Sequence, residues 1–181
     1  MDAVKLEGGR EAAPAIEAIV GAGIPVVGHI GLTPQSIHKL GGWKIQGTSA
    51  AAGRRLVEEA QILENAGCHA LIVEAIPDRV AELIALRLRI PVIGIGAGVC
   101  CDGQVLVSND LLGSFDRFTP KFARKYADLN AVMKKAFGAF LADVEERRFP
   151  APEETYHITD EEFDALLREL HVKPRNWRLA I

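Results

Sequence analysis

Apolar residues along this chain follow two rhythms. Short, nearly continuous runs rich in Val and Ile occupy residues 3–7, 24–29, 70–74 and 90–96, the pattern of strands buried inside a sheet. The segments between them have helical periodicity. In residues 49–67, Ala52, Leu56, Ala60 and Leu63 recur at four- and three-residue steps, and Gly67 supplies a stop. Residues 11–22 are rich in alanine and close on Gly23, while residues 77–88 open on a proline suited to a first helical turn. The alternation of strand and helix predicts a parallel sheet covered on both faces, in an α/β layer architecture or a (β/α)8 barrel. A weaker fifth strand is expected at residues 104–107.

The second half reads differently. Residues 120–148 predict a long helix or helix pair, with Phe122, Tyr126, Leu129, Val132 and Met133 on one side, continued by Phe137, Phe140, Leu141 and Val144. After Phe149-Pro150-Ala151-Pro152 the composition turns acidic, and Thr159-Asp160-Glu161-Glu162 has the form of a helix start ahead of Phe163, Leu166, Leu167 and Leu170. The expected division is therefore an α/β unit over residues 1–150 and a tail with a peripheral helix over residues 151–181. No internal repeat interrupts it.

Composition narrows the function classes. With 181 residues, 49% of them hydrophobic, the chain is long enough for one sizeable core. A formal net charge of −3 with no basic stripe argues against nucleic acid and anionic membrane as partners. No apolar run approaches the ~20 residues of a membrane span, and Met1 leads into a strand rather than a signal peptide. The cysteines are Cys68 and the adjacent Cys100 and Cys101, an odd count without metal-ligand spacing, which fits small thiols in a reducing cytoplasm.

Ionisable groups gather at strand ends. Lys5 and Glu7 share one face of the first strand, with Cα atoms about 6.6 Å apart at two strand rises. They are either neighbours at one small ligand or an exposed pair on a terminal strand. His29 ends the second strand in Gly28-His29-Ile30-Gly31-Leu32-Thr33-Pro34-Gln35-Ser36, and Glu74 ends the third. Each alone has a plain structural alternative, but their recurrence at the carboxyl ends of parallel strands matches a catalytic rim. A carboxylate among apolar neighbours is disfavoured in its charged form, which makes Glu74 the candidate proton shuttle. Lys5 offers positive charge to a carboxylate or enolate oxygen, and His29 a hydrogen bond to a carbonyl or hydroxyl.

Two glycine-rich segments remain. Gly94-Ile95-Gly96-Ala97-Gly98 fails the dinucleotide pattern, whose third glycine would fall at Val99, so its glycines serve close approach to a ligand or a turn. Gly41-Gly42-Trp43-Lys44-Ile45-Gln46-Gly47 joins flexible glycines to an aromatic ring, a cation and an amide, the makings of a lid over a flat or polar ligand or of an ordinary exposed loop.

Taken in order, Val4-Lys5-Leu6-Glu7-Gly8-Gly9, the segment from Pro25 through Gly28-His29-Ile30-Gly31 to Gln35, the Gly41 to Gly47 loop and Ile90-Pro91-Val92-Ile93 running into the Gly94 glycines resemble the ketopantoate hydroxymethyltransferase family. Asp102-Gly103-Gln104, Pro120-Lys121-Phe122-Ala123 and Phe149-Pro150-Ala151-Pro152-Glu153 extend the resemblance over roughly residues 1–157. It implies a partial (β/α)8 TIM-type barrel, about the last five strand units with C-terminal helices, since a complete barrel takes ~250 residues. It implies a cytoplasmic homo-oligomeric enzyme that transfers a hydroxymethyl group from 5,10-methylenetetrahydrofolate to 3-methyl-2-oxobutanoate, in pantothenate biosynthesis. The keto acid chelates Mg2+. By resemblance Glu74 is the acid–base residue at C3 of the substrate, Lys5 contacts the keto acid, His29 lies near a substrate oxygen, and Glu7 is an acidic residue associated with the magnesium site.

The aspartate ligands of magnesium in that family belong to strand units ahead of the Lys5 strand, and Asp2, Asp102 and Asp110 sit in no matching motif. Alternative expectations are therefore a truncated or partner-dependent remnant, completed by a chain supplying the missing strands, or another magnesium-dependent keto acid enzyme of the isocitrate lyase and phosphoenolpyruvate mutase type. The latter's cysteine-bearing loop is not found. No role is assigned to residues 158–181.

Overall fold

In the computed structural model, residues 2–38 and 41–171 are described. Five parallel strands, β1 (Val4–Glu7), β2 (Val26–Gly31), β3 (Ala70–Glu74), β4 (Val92–Ile95) and β5 (Gly103–Gln104), form one sheet in sequential order. Helices α1 (Ala13–Gly21), α2 (Ala50–Asn65) and α3 (Asp78–Arg87) connect the first four. A shorter helix, α4 (Ser108–Leu112), follows β5. The chain clusters into two compact units, Met1–Asn130 and Ala131–Ile181.

Local chemistry accounts for the helix ends. The Ser49 hydroxyl accepts the Ala52 N–H at 3.2 Å and opens α2, while Pro77 precedes α3 in an extended conformation that ends the preceding loop. Gly67, at φ +100°, turns the chain out of α2, as its position after the last periodic residue predicts. At the far end of α2, Glu64 Oε1 accepts the backbone N–H of Arg89 at 2.6 Å, tying that helix to the approach of β4.

Alternate residues of each strand divide the sheet into two unlike faces. Val26, Ile30, Leu71, Val73 and Val92 pack with Ile16 of α1, Leu56, Ala60 and Leu63 of α2, and Ala81 and Ile84 of α3 in one core. Gly28 permits this closeness, because a Cβ there would stand 3.0 Å from Leu63 Cδ1 and 3.1 Å from Leu71 Cδ1. The opposite face carries Lys5, Glu7, His29 and Glu74 by register: Glu7 pairs with His29, and Gly31 with Glu74. The expectation of helices on both faces is therefore corrected. Helices α1, α2 and α3 share one face and one core, leaving the other to the polar groups.

Three boundaries also differ from the sequence expectation. His29 does not end β2, which runs two residues further because Ile30 continues the alternation into the core. The fifth strand is Gly103–Gln104, since Val107 already caps α4. Residues 120–128 are not helical. Tertiary contacts hold this segment instead: the Phe122 ring lies over Gly96, where a Cβ would be 2.6 Å from Phe122 Cδ1, and the Tyr126 backbone N–H donates to the Leu111 carbonyl at 2.8 Å.

The long helix is α5 (Leu129–Glu145), which begins at the end of the first unit and continues into the second. Within the second unit the Phe140 and Phe149 rings meet edge to face at 5.2 Å, and α6 (Asp160–Glu169) is opened by the Thr159 hydroxyl accepting the Glu162 N–H at 3.3 Å. The expected helix start at Thr159 is thus present. Residues 172–181 of the expected tail lie outside the described residues.

Candidate active site

Register brings together groups that lie far apart in sequence. His29, 3% exposed, stands between two carboxylates. Its Nε2 is 3.1 Å from Glu74 Oε2, and its Nδ1 is 3.5 Å from Glu7 Oε1. Lys5 Nζ lies 2.7 Å from the same Glu7 oxygen and 3.5 Å from His29 Nδ1. All four residues that sequence reasoning singled out at strand ends meet in one cluster.

Although Nε2 is within ion-pair distance of Glu74, the geometry of that contact is not that of a hydrogen bond, and Nε2 is a buried ring nitrogen without a hydrogen-bond partner among the described residues. Such an atom costs free energy unless something satisfies it. A substrate oxygen beside His29 Nε2 would do so.

Glu7 is engaged on both oxygens. Oε1 takes the Lys5 ammonium, and Oε2 accepts the Gln35 backbone N–H at 3.0 Å, pinning the loop after β2 to the end of β1. Burial works to raise the Glu7 pKa, but the Lys5 hydrogen bond, the Gln35 N–H and the nearby Lys5 and His29 charges outweigh it and hold the carboxyl below its ordinary value. Glu7 is an ionised, fully partnered group. Lys5 has 41% of its side chain exposed, so it is not enclosed by the protein around Glu7.

The end of β3 is held by its backbone. The Glu74 carbonyl accepts the Leu32 N–H at 2.8 Å, and Gly31, at φ +91°, makes this possible, because a Cβ there would lie 2.3 Å from that carbonyl oxygen. The next residue, Ala75, has a left-handed φ of +49°, uncommon for a residue with a Cβ. Its N–H donates to Ile95 and its carbonyl accepts the Gln46 N–H, at 2.9 and 3.0 Å. Sequence reasoning missed these backbone contributors. The Gly31 and Gly47 positions flanking the two loops were the available signal.

The ketopantoate hydroxymethyltransferase family model matches residues 1–152. The chain belongs to that family. Among curated proteins it is similar to the 3-methyl-2-oxobutanoate hydroxymethyltransferase of Oleidesulfovibrio alaskensis, 57% identical over 160 residues, which cover 88% of this chain and 55% of that protein. The protein of the same name from Syntrophobacter fumaroxidans is 52% identical over 158 residues, 87% of this chain and 56% of the relative. That from Clostridium botulinum is 49% identical over 165 residues, 91% and 60%. The chain thus spans rather more than half the length of these ketopantoate hydroxymethyltransferase relatives.

For a family whose resemblance calls for magnesium, the donor set here is short. Magnesium takes near-octahedral oxygen coordination, whereas Glu7 offers one carboxylate with both oxygens already partnered and an ammonium 2.7 Å away. Among the described residues no group of three or more His, Cys, Asp or Glu side chains is arranged to hold a metal ion. The described residues do not fit a magnesium site of their own. Likewise, no helix among them is long and apolar enough to cross a membrane.

Proposed function

We propose that this chain carries the proton-transfer part of a ketopantoate hydroxymethyltransferase site, acting on 3-methyl-2-oxobutanoate with 5,10-methylenetetrahydrofolate as one-carbon donor. The observation that carries the reading is the buried His29 Nε2, set 3.1 Å from the Glu74 carboxylate and without a hydrogen-bond partner among the described residues. A keto acid with an oxygen at His29 would bring an acidic C–H beside Glu74.

In that reaction Glu74 takes the C3 proton and the C–H electron pair becomes the enolate. His29 and Lys5 face the oxygens on which negative charge is held, worth the most where water is excluded. The C3 carbon then bonds the one-carbon unit, whose two bonds to folate nitrogens N5 and N10 both break, the nitrogens taking up the proton removed from C3 and one proton of water. Water supplies the hydroxyl, giving 2-dehydropantoate and tetrahydrofolate. Magnesium enters this reading as an ion chelated by the keto acid, and no step here depends on Glu7 holding it. A cytoplasmic location and a homo-oligomeric assembly belong to the same proposal.

The fold supports it. Sequential parallel neighbours, with the polar groups on the face away from the helices, are what an arc of a (β/α)8 barrel presents. We assign residues 1–150 to that partial barrel and residues 151–181 to an appended tail. The isocitrate lyase and phosphoenolpyruvate mutase alternative has no observation in its favour.

The test is deuterium uptake at C3 of 3-methyl-2-oxobutanoate in D2O with magnesium and no folate. The chain is expected to catalyse exchange, and Glu74→Gln to lower it at least about a hundredfold, the usual weight of a general base. No exchange by the chain alone would exclude autonomous chemistry, and equal rates in the variant would remove Glu74 from its role.

A further inference from the structure

The proposed chemistry uses Lys5, His29 and Glu74 but leaves the loop of residues 41–47 without a task. Two of its large apolar side chains stand in the open: Trp43 is 68% exposed and Ile45 63%. A single exposed apolar side chain needs no explanation. Here an indole and an isoleucine two residues apart project from a loop whose backbone is tied down. The Gly42 N–H donates to the Ile37 carbonyl at 3.0 Å, the Gln46 side-chain amide to the Lys44 carbonyl at 2.9 Å, and the Gln46 N–H to the Ala75 carbonyl at 3.0 Å.

The last contact locates the loop. Ala75 directly follows Glu74, and its left-handed backbone is bonded on one side to Ile95 and on the other to Gln46. Trp43 is three residues from that anchor, so at most ~11 Å of chain plus one 3.0 Å hydrogen bond separates it from the peptide next to the proton-accepting carboxylate. The loop is rooted in the end of the reacting strand.

Resting on the reading above, we propose that Trp43 is the stacking surface for the bicyclic pterin ring of the folate co-substrate, with Ile45 meeting the ring's apolar edge. The keto acid is small and polar, and Lys5, His29 and Glu74 already match it. The folate is the reactant with a large flat face, and it must approach the same carbon. A flat heterocycle gains binding free energy by stacking on an aromatic side chain, as nucleobases do.

The test is equilibrium binding of tetrahydrofolate, which lacks the transferable carbon, measured by calorimetry on the chain, Trp43→Ala and Trp43→Phe. Folate-free deuterium exchange into the keto acid is followed on the same samples. Trp43→Ala is expected to weaken tetrahydrofolate binding about tenfold or more, one decade being 1.4 kcal/mol, and Trp43→Phe to restore most of it, with exchange unchanged in both. Three results overturn the proposal: no tetrahydrofolate binding by the unmodified chain, equal binding by Trp43→Ala, or loss of exchange in parallel with binding. Failure of exchange in the unmodified chain strikes the proton-transfer reading instead, while the binding comparison still decides the loop.

Discussion

At the scale of residues, the decisive arrangement is Glu7 and Glu74 on either side of His29. The two acids differ in kind. Glu7 is satisfied by Lys5 and the Gln35 N–H, so it organises the site, whereas Glu74 faces a histidine nitrogen that still lacks a hydrogen-bond partner. Because the folded pKa of Glu7 is lowered, its contribution to stability is present above the ordinary carboxylate value of about 4.3 and is lost as pH falls through the folded value. Urea unfolding of the chain and of Glu7→Gln should therefore differ by about 1–2 kcal/mol at neutral pH, with the gap closing below pH ~4. A gap that does not change with pH would show that the carboxylate charge is not what holds the Gln35 loop. The clustering of Lys5, His29 and Glu74 toward the carboxyl halves of successive strands was readable in the sequence. The backbone donors from Gln35, Leu32 and Gln46 were not, because any residue carries an N–H and only the folded path aims it.

At the scale of elements, helix α2 and strand β2 show how little room the core leaves. Leu63, fully buried, sits against Gly28 of β2, and a Cβ added there would also come within 3.2 Å of Cys68 Sγ. Gly28→Ala should destabilise the chain by about 1–3 kcal/mol through overpacking, read as a lower urea midpoint with unchanged slope. A neutral result would mean that α2 can shift away from the sheet at no cost. Periodicity identified α1, α2, α3 and α6 because their apolar stripes face a core or a cap begins them locally. It misled at residues 120–128, where Phe122 and Tyr126 fall at helical spacing, yet the Phe122 ring packs on Gly96 and the Tyr126 backbone N–H bonds the Leu111 carbonyl, contacts distant in sequence.

At the scale of the molecule, depth of burial also decides thiol chemistry. Burial raises the Cys68 pKa against a Gly28 backbone hydrogen bond that lowers it. Burial together with Asp102 and Cys100 raises that of Cys101. Cys100 is exposed. Alkylation by iodoacetamide at pH 8, followed by mass spectrometry, should modify Cys100 first and Cys101 more slowly, with Cys68 reacting only as the chain unfolds. Labelling of Cys68 as fast as Cys100 would contradict the close packing of α2 on the sheet. The sequence by itself determined the strand and helix rhythm, the charged residues near strand ends and the family resemblance, because each is written in neighbouring residues. Tertiary structure alone decided that the helices share one face, that β2 runs on past His29 and that Ala75 ties the Trp43 loop to the strand of Glu74. Sheet register and strand-to-loop hydrogen bonds join residues up to several dozen positions apart, and no local pattern specifies them.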